Sequence, residues 1–389
     1  MPASLLSRPG VAAALGCAAL MLVGWTGLLV PALIRSIEHD FGQTDAGIAI
    51  FLFVNAVTYV AGSMIGGLLT ERLGRRVVLS SAVLLVAAGL VAMATVPSWS
   101  LFVAAAIPFG FGSGAIDGGT NGLILDLYPT NRGRALNLLH FFFSLGALGS
   151  PLVVGRLVDA GVAWQWIVLG AAFPAPLLAT LLALADLPSG RHAHATGGQG
   201  ARITLALPLL ALAVGIGCYV ASEVGVSDWL VQFLASASVG LATSALALFW
   251  GCLALGRIVS AKLGDRYDHA RFAATASLVA GVALVAAVLV PSLPASIVLF
   301  GVVGFAFGPI YPLIMAVAGD RFPGRTAAVS GFLSGSAVIG AIVYPPIMGF
   351  VSVGAGLGVA MIGAAILSVT GAVVLSLVGR RPPRLAVPE

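Results

Sequence analysis

The segment from Gly110 to Tyr128 is a long apolar run that nevertheless carries a carboxyl group, Asp117, and a carboxamide, Asn121. Gly114, Asp117 and Asn121 follow Gly110 by four, seven and eleven residues. These spacings match the helical period, so all four residues lie on one face of a helix. An ionisable group at membrane depth costs about 3 kcal/mol or more, so it is rarely there without a function. We therefore predict that this face lines a polar cavity, where Asp117 binds a proton or a solute and Asn121 hydrogen-bonds to the solute.

Two further apolar segments carry polar side chains that could act with Asp117. Asn137 and His140 are three residues apart and so share a helix face. Histidine donates or accepts a proton near neutral pH, which suits His140 to proton exchange or to solute contact, and Asn137 to solute contact. In the other segment Tyr219 and Glu223 lie one helical turn apart. We predict Glu223 as a second proton-coupling group and Tyr219 as a solute contact.

Four other residues are weaker candidates for solute contact. Trp25 and Asn55 lie in the first and second apolar runs. Trp229 follows Glu223 in the same run, where an aromatic belt at the membrane surface is at least as good an interpretation. Tyr311 lies between two prolines of a later run.

Composition defines the class of protein. Hydrophobic residues make up 59% of the 389 residues and charged residues 8%, whereas a soluble domain carries about 25% charged residues. Apolar runs of about 20 residues recur, which is the length that spans a bilayer as a helix and excludes a β-barrel. The three cysteines have no paired spacing, so we expect neither disulfides nor a metal site.

We predict an all-α membrane protein with twelve transmembrane helices. The predicted spans are 11–34, 45–69, 77–96, 101–127, 135–158, 164–186, 204–230, 238–261, 272–290, 295–319, 327–351 and 356–378. Nearly all basic residues fall in loops on one side, and only Arg35 and Arg156 lie on the other. By the positive-inside rule, both termini are expected to be cytoplasmic.

The two halves of the chain resemble each other when one is shifted by 194 residues. Glu71 then matches Asp265, Asp126 matches Asp320, and Tyr311 takes the position of Asp117. The repeat predicts two pseudo-symmetric six-helix bundles around a central cavity, formed by residues 1–187 and 203–389 and joined by a cytoplasmic linker, 188–202. Parallel repeats of this kind frame a central site that opens to alternate sides of the membrane.

The loop after the second span resembles the signature of the major facilitator superfamily, Gly-x-x-x-Asp/Glu-Arg-x-Gly-Arg-Arg/Lys. Its signature positions are Gly67, Glu71, Arg72, Gly74, Arg75 and Arg76. A degenerate second copy contains Asp265 and Arg266, with Ala261 in place of the leading glycine. The resemblance covers essentially the whole chain and implies that spans 1, 4, 7 and 10 line the cavity. It also implies that these loops hold one conformation, and we expect Asp126 to pair with a loop arginine there.

Within this superfamily, Asp117 with Asn121 and the segments 137–151 and 219–230 resemble the fucose–glucose–galactose symporter branch and its sugar-transporter-like relatives. This resemblance implies a secondary transporter that imports a small polar, sugar-like solute with protons. That branch also has an acid in the first span, where this chain has none. Either Glu223 takes that role, or Asp117 acts alone, or the coupling ion is not a proton.

Three other functions stay open. A proton-driven exporter of drug-like compounds usually has an arginine where this chain has Ala106, and a Gly-Pro pair that Ser150 interrupts here. A lipid or lysolipid carrier is a second alternative, and a receptor or scaffold that moves no solute is a third. No nucleotide-binding loop or catalytic motif occurs, so we expect no enzyme activity, no cofactor and no nucleic-acid partner. The composition, with a single lysine and no Asn-x-Ser/Thr acceptor, favours a bacterial inner membrane, and we expect a monomer in the lipid bilayer.

Overall fold

The computed structural model describes residues 9–129, 132–189, 207–263, 266–322 and 326–378. Within these ranges the secondary structure consists of fifteen helices. They are α1 (Pro9–Gly27), α2 (Leu29–Phe41), α3 (Asp45–Leu73), α4 (Arg75–Thr95), α5 (Trp99–Leu127), α6 (Arg132–Asp159), α7 (Trp164–Ala172), α8 (Ala175–Leu184), α9 (Leu207–Phe233), α10 (Val239–Leu263), α11 (His269–Leu289), α12 (Leu293–Phe307), α13 (Ile310–Arg321), α14 (Thr326–Ala355) and α15 (Leu357–Ser376).

The described helices form twelve segments that are long and apolar enough to cross a membrane, which confirms the predicted number of spans. Three of these segments are helix pairs with a short break: α1 with α2, α7 with α8, and α12 with α13. Pro174 and Pro309 lie at two of these breaks, and Pro31 is the third residue of α2, just after the other break. The missing N–H of a proline leaves a carbonyl of the preceding turn without its helical partner. The first segment was predicted too short, since it runs to Phe41 rather than to residue 34.

The chain divides into two compact units. The first comprises residues 1–198, 228–250 and 352–354, and the second comprises 199–227, 251–351 and 355–389. The C-terminal turns of α9 and the first half of α10 therefore belong to the first unit. Residues 190–206 lie outside the described ranges and include most of the predicted linker 188–202. The division into bundles at that linker stays a prediction.

One end of the first unit, the signature end, is formed by the loop signature and its acidic partners. Gly74 joins α3 to α4 with φ = 86°, a conformation that glycine adopts without a steric cost. The next residue, Arg75, is buried and donates hydrogen bonds to the Asp126 carboxylate at 2.9 Å and to the Pro188 carbonyl at 3.2 Å. Arg76 forms an exposed ion pair with Asp186.

The opposite end of α3 and α5, the aromatic end, is packed with large rings. The ring centroids of Phe41, Phe51, Trp99, Phe102 and Trp164 lie 5.1–6.0 Å from one another in six pairs. Tilted and edge-to-face arrangements at these distances are favourable. The cluster fixes the ends of α2, α3, α5 and α7 relative to one another within the first unit.

Candidate functional site

Helices α3 and α5 pack along much of their lengths because glycines remove the side chains between them. A methyl group on Gly110 would meet Thr58 and Asn55, and one on Gly114 would overlap the Tyr59 carbonyl oxygen. The glycine part of the predicted polar face is therefore a helix-packing surface, and the prediction that it lines a cavity is wrong there. Small residues allow backbones to approach in this way in membrane proteins.

The close approach places Tyr59 of α3 beside Asp117 of α5. The Asn121 amide donates hydrogen bonds to the Asp117 carboxylate Oδ1 and to the Asp117 main-chain oxygen, both at 2.9 Å. Tyr59 of α3 is a polar neighbour of this carboxylate. Asp117 thus lies partly buried, with the Asn121 amide hydrogen-bonded to its carboxylate and Tyr59 of α3 nearby.

His140 of α6 is the third element of this cluster in the first unit. Its ring is exposed, and a positive charge on it would attract the Asp117 carboxylate. The main-chain oxygen of His140 accepts a hydrogen bond from the Ser144 hydroxyl at 3.1 Å. Asn137 belongs to the same helix, but its side chain lies outside the described residues. Asp117 and Asn121 are hydrogen-bonded, and His140 lies near enough to Asp117 for their charges to interact, while the predicted roles of these residues stay predictions.

A second group of candidates lies in the second unit. Tyr219 of α9 is 3% exposed, and its ring meets Phe307 of α12 edge to face at 5.7 Å between centroids. Glu223, one turn along α9, is 7% exposed. Among the described residues it has no hydrogen bond and no ion pair. The partly buried guanidinium of Arg257 in α10 acts on Glu223 electrostatically.

Arg257 is positioned by another close helix contact. A methyl group on Gly308 would meet the Leu253 carbonyl and the Arg257 amide nitrogen, the latter at 2.7 Å. Gly308, between α12 and α13, therefore packs directly against the backbone of α10 at Arg257. The Tyr311 hydroxyl is 3.4 Å from that of Ser334.

The remaining predicted contacts have different environments. Trp229 is completely buried, so it neither forms a belt at the membrane surface nor offers a surface to a solute. Trp25 packs beside Gly149 of α6, and Asn55 faces α5 with its side-chain oxygen buried and without a donor among the described residues. Both are partly buried.

At the signature end the predicted pairing of Asp126 with an arginine is present, through Arg75. Gly67 and Arg72 are exposed, and Glu71 is partly buried. In the second copy of the loop Arg266 is exposed, whereas Asp265 lies outside the described residues.

Two polar residues with a place in these groups, Tyr59 and Arg257, were missed at the sequence level, as was Asp228. Arg257 lies six residues before the end of α10, inside a membrane span, and that depth alone was a sufficient signal. Asp228 is a further carboxyl inside α9. Tyr59 carried no signal, because its role depends on which residues of α3 face Asp117.

The fold and these groups of residues define a polytopic membrane transport protein. The family model described as Major Facilitator Superfamily matches residues 14–234 and 203–389. The chain belongs to this superfamily, which confirms the resemblance seen in the loop signature, and its relatives are transporters rather than enzymes.

Relatives and solved structures agree with that assignment. The chain is 23% identical over 368 residues to an uncharacterized MFS-type transporter, YfkL, of Bacillus subtilis, covering 88% of this chain and 91% of the relative. It is 26% identical over 136 residues to the mouse sodium-dependent glucose transporter 1A, covering 35% of this chain and 32% of that relative. The match thus spans about a third of the mouse protein. The crystal structure of a D-xylose-proton symporter superposes with a TM-score of 0.77 at 16% identity, covering 93% of this chain and 96% of that chain.

Proposed function

We propose that this transporter imports a small polar, sugar-like solute together with protons. The observation that supports this most directly is the cluster around Asp117, where a carboxyl group inside a span has Asn121, Tyr59 and His140 as its polar neighbours. A sugar presents hydroxyl groups, which both donate and accept hydrogen bonds, and this cluster contains both kinds of partner. The names of similar proteins support a sugar as the solute but differ in the coupling ion, since one is a sodium-dependent glucose transporter and another a D-xylose-proton symporter.

The proposed cycle starts with a proton on Asp117. An ionised carboxylate is costly to enclose within apolar walls, and protonation removes that cost. The solute then binds to Asn121, Asn137 and His140, and the loaded protein changes the side to which it is open. Loss of the proton toward the other compartment completes the cycle. Glu223, with Arg257 as its counter-charge, is the second group that could exchange a proton during this cycle.

The structure around Ala106 does not favour the exporter function. Ala106, where the exporter pattern has an arginine, is completely buried, and its main-chain oxygen accepts a hydrogen bond from Thr58 at 3.3 Å. An arginine would not fit at this contact between α3 and α5. We further propose that the protein acts as a monomer in a bacterial inner membrane, with its termini and the signature end cytoplasmic.

Uptake into proteoliposomes tests the function. Purified protein is reconstituted, and radiolabelled glucose, xylose and fucose are offered with and without an inward pH gradient and with sodium replaced by choline. We expect one of these sugars to accumulate when the pH gradient is imposed. Accumulation that needs sodium instead would reject proton coupling, and outward movement against protons would favour the exporter.

Asp117→Asn identifies the coupling group. This variant is expected to lose pH-driven accumulation while still exchanging labelled for unlabelled solute. The matched control is Asp268→Asn, because Asp268 caps α11 through the Arg271 amide and asparagine caps equally well. If Asp117→Asn still concentrates the solute, the assignment of Asp117 is wrong.

A further inference from the structure

The repeat seen in the sequence is also a repeat of helix positions. Helices α4 and α11 each have 21 residues, and their first residues, Arg75 and His269, are 194 positions apart. The same shift carries α5 (Trp99–Leu127) onto the span formed by α12 and α13, Leu293–Arg321. Residues 194 positions apart in these helices are therefore structural equivalents, and differences between them show where the two halves differ in chemistry.

One such set of equivalents joins the start of one helix to the end of the next in both halves. In the first unit the Arg75 guanidinium is 2.9 Å from the Asp126 carboxylate near the end of α5. In the second unit Nδ1 of His269 is 3.5 Å from Oδ2 of Asp320 near the end of α13. An arginine keeps its charge at every physiological pH, whereas a histidine gains or loses its charge between about pH 5 and 8. The second unit therefore has a titratable group where the first has a permanent charge.

The two pairs also differ in how far water reaches the basic side chain. The Arg75 side chain is 4% exposed and that of His269 is 23% exposed, while the two carboxylates are exposed to a similar degree. His269 is one of the partners of Asp320. Because the imidazole is within reach of water, it can exchange a proton with the aqueous side while it stays beside the carboxylate.

Helix α13 supplies the charges that face His269 from neighbouring helices. Helices α12, α13 and α15 pack on α11, and of these three only α13 carries charged residues, Asp320 and Arg321. Tyr311, the one other titratable residue of these three helices, lies at the opposite end of α13. Asp320 is thus the group from these helices that favours a positive charge on His269, and Arg321 opposes it.

The chain around the start of α11 acts in both directions. Asp268 caps the helix by accepting a hydrogen bond from the Arg271 amide at 2.9 Å, and its negative charge favours protonation of the neighbouring His269. The unpaired N–H groups of this first turn and the Arg271 side chain disfavour it. The other cations on the described chain just before α11 are exposed: Lys262 and Arg266. Asp320 remains the partner across a helix contact whose attraction depends on the charge of His269.

We propose that His269 and Asp320 form a pH-responsive regulatory pair, which binds a proton beside the second copy of the loop signature and slows transport when that side is acidic. Protonation turns the contact into an ion pair that stabilises the packing of α11 on α13. This stabilisation is present at low pH and is lost as the pH rises through the range in which histidine titrates. The first unit has no such dependence at this position, because Arg75 stays charged.

The effect on transport rests on the proposed function. Any conformational step that loosens α11 from α13 is less favourable when the pair is ionic, so the exchange of solute slows. The second copy of the loop is predicted to be cytoplasmic, which is the side to which a proton-coupled importer delivers protons. The pair would therefore let the delivered protons limit further uptake.

The pH dependence of stability tests the pair without any solute. The purified full-length parent and His269→Arg are unfolded thermally in detergent at about pH 5.5 and about pH 8, near the two ends of the histidine range. At the lower pH both proteins carry a charge at this position, so we expect equal melting temperatures. At the higher pH only the variant keeps the charge, and we expect it to melt about 1–2 °C above the parent, as one partly exposed ion pair would cause.

Matched variants separate this pair from a general effect of charge. His39 lies 3.5 Å from Asp40, but its side chain is 90% exposed, so His39→Arg is expected to melt like the parent at both pH values. Arg75→His gives the first unit the same titratable group and is expected to lose stability as the pH rises. His269→Gln serves if His269→Arg does not fold, and it is expected to match the parent at the higher pH and to melt below it at the lower pH.

Solute exchange in proteoliposomes, at equal pH on both sides, measures the regulation. Asp117 is itself proposed to bind protons, so the quantity compared is the exchange rate of the parent divided by that of His269→Gln at the same pH. We expect this ratio to fall about two- to fivefold between about pH 8 and about pH 5.5, the factor that corresponds to one partly exposed ion pair.

A melting-temperature difference between His269→Arg and the parent that is the same at both pH values would overturn the pair, as would an equal pH-dependent gain in His39→Arg. A pH-dependent difference in stability combined with a constant exchange ratio would make the pair purely structural and would overturn its regulatory role. Failure of the proposed function looks different, because no sugar would then accumulate while the pH-dependent difference in melting temperature remained.

Discussion

Replacing Gly114 by alanine tests the helix contact on which the Asp117 cluster depends. The added methyl group would overlap the Tyr59 carbonyl oxygen and would also meet the Ser63 amide nitrogen at 2.9 Å. An ordinary contact needs about 3.4 Å or more, so α3 and α5 must separate by about 1 Å or more. Overpacking of this kind costs about 1–3 kcal/mol.

The separation of α3 from α5 is also expected to affect proton coupling. Tyr59 belongs to the backbone segment that must move, and it is the neighbour of Asp117 on the facing helix. A shift of about 1 Å would therefore change the contact of Tyr59 with the carboxylate, because the strength of polar contacts falls steeply with distance. We therefore expect Gly114→Ala to lower both the melting temperature and the proton-driven accumulation of solute, while solute exchange persists.

The control is Gly170→Ala in α7. A methyl group on Gly170 meets nothing within 4 Å, and glycine in a helix interior is about 0.5–1 kcal/mol less favourable than alanine. This variant should therefore be as stable as the parent or more stable. Thermal unfolding in detergent and uptake into proteoliposomes measure both variants. If Gly114→Ala matched Gly170→Ala in stability and coupling, the close contact of α3 with α5 would not be what positions Asp117.

Two further predictions concern the polar partners of the two carboxyl groups. Tyr59→Phe removes the hydroxyl group beside the Asp117 carboxylate, and we expect proton-driven accumulation to fall severalfold with solute exchange retained. An unchanged accumulation ratio would show that Tyr59 is only a neighbour. Arg257→Gln leaves Glu223 buried without a counter-charge, and we expect a lower melting temperature that the double variant Glu223→Gln/Arg257→Gln partly restores. Additive losses in the double variant would mean that the two charges do not interact.

Much of the fold follows from the sequence, because the membrane leaves few alternatives. Backbone polar groups have to be satisfied within each span, so apolar length alone defines the helices. The breaks in three spans were less predictable. Pro174 and Pro309 are visible signals, but prolines also lie inside α5 and α6, where the helix continues through Pro108 and Pro151. Whether a proline interrupts a span depends on neighbours that periodicity does not reveal.

The candidate site was predictable as a set of residues but not as an arrangement. Asp117, Asn121 and His140 were identified from their type and depth, and they do lie together. The helical period correctly placed Gly110 and Gly114 on the face of Asp117. It could not tell whether that face meets water or another backbone, since a glycine removes a side chain in both cases. A methyl group on either glycine would overlap atoms of α3, so this face meets the backbone of α3.

The same reasoning explains why Arg35 and Arg257 were both undervalued at the sequence level. The rule that orients a membrane protein counts basic residues at loop ends and ignores what each one binds. Arg35 entered that count only as an exception on the sparsely charged side, yet it binds three carbonyl groups at the end of α9. Arg257 lies inside α10 and acts on Glu223. In a chain with only 8% charged residues, an arginine that breaks the loop pattern indicates a specific partner, because desolvating an unpaired guanidinium group would otherwise destabilise the span.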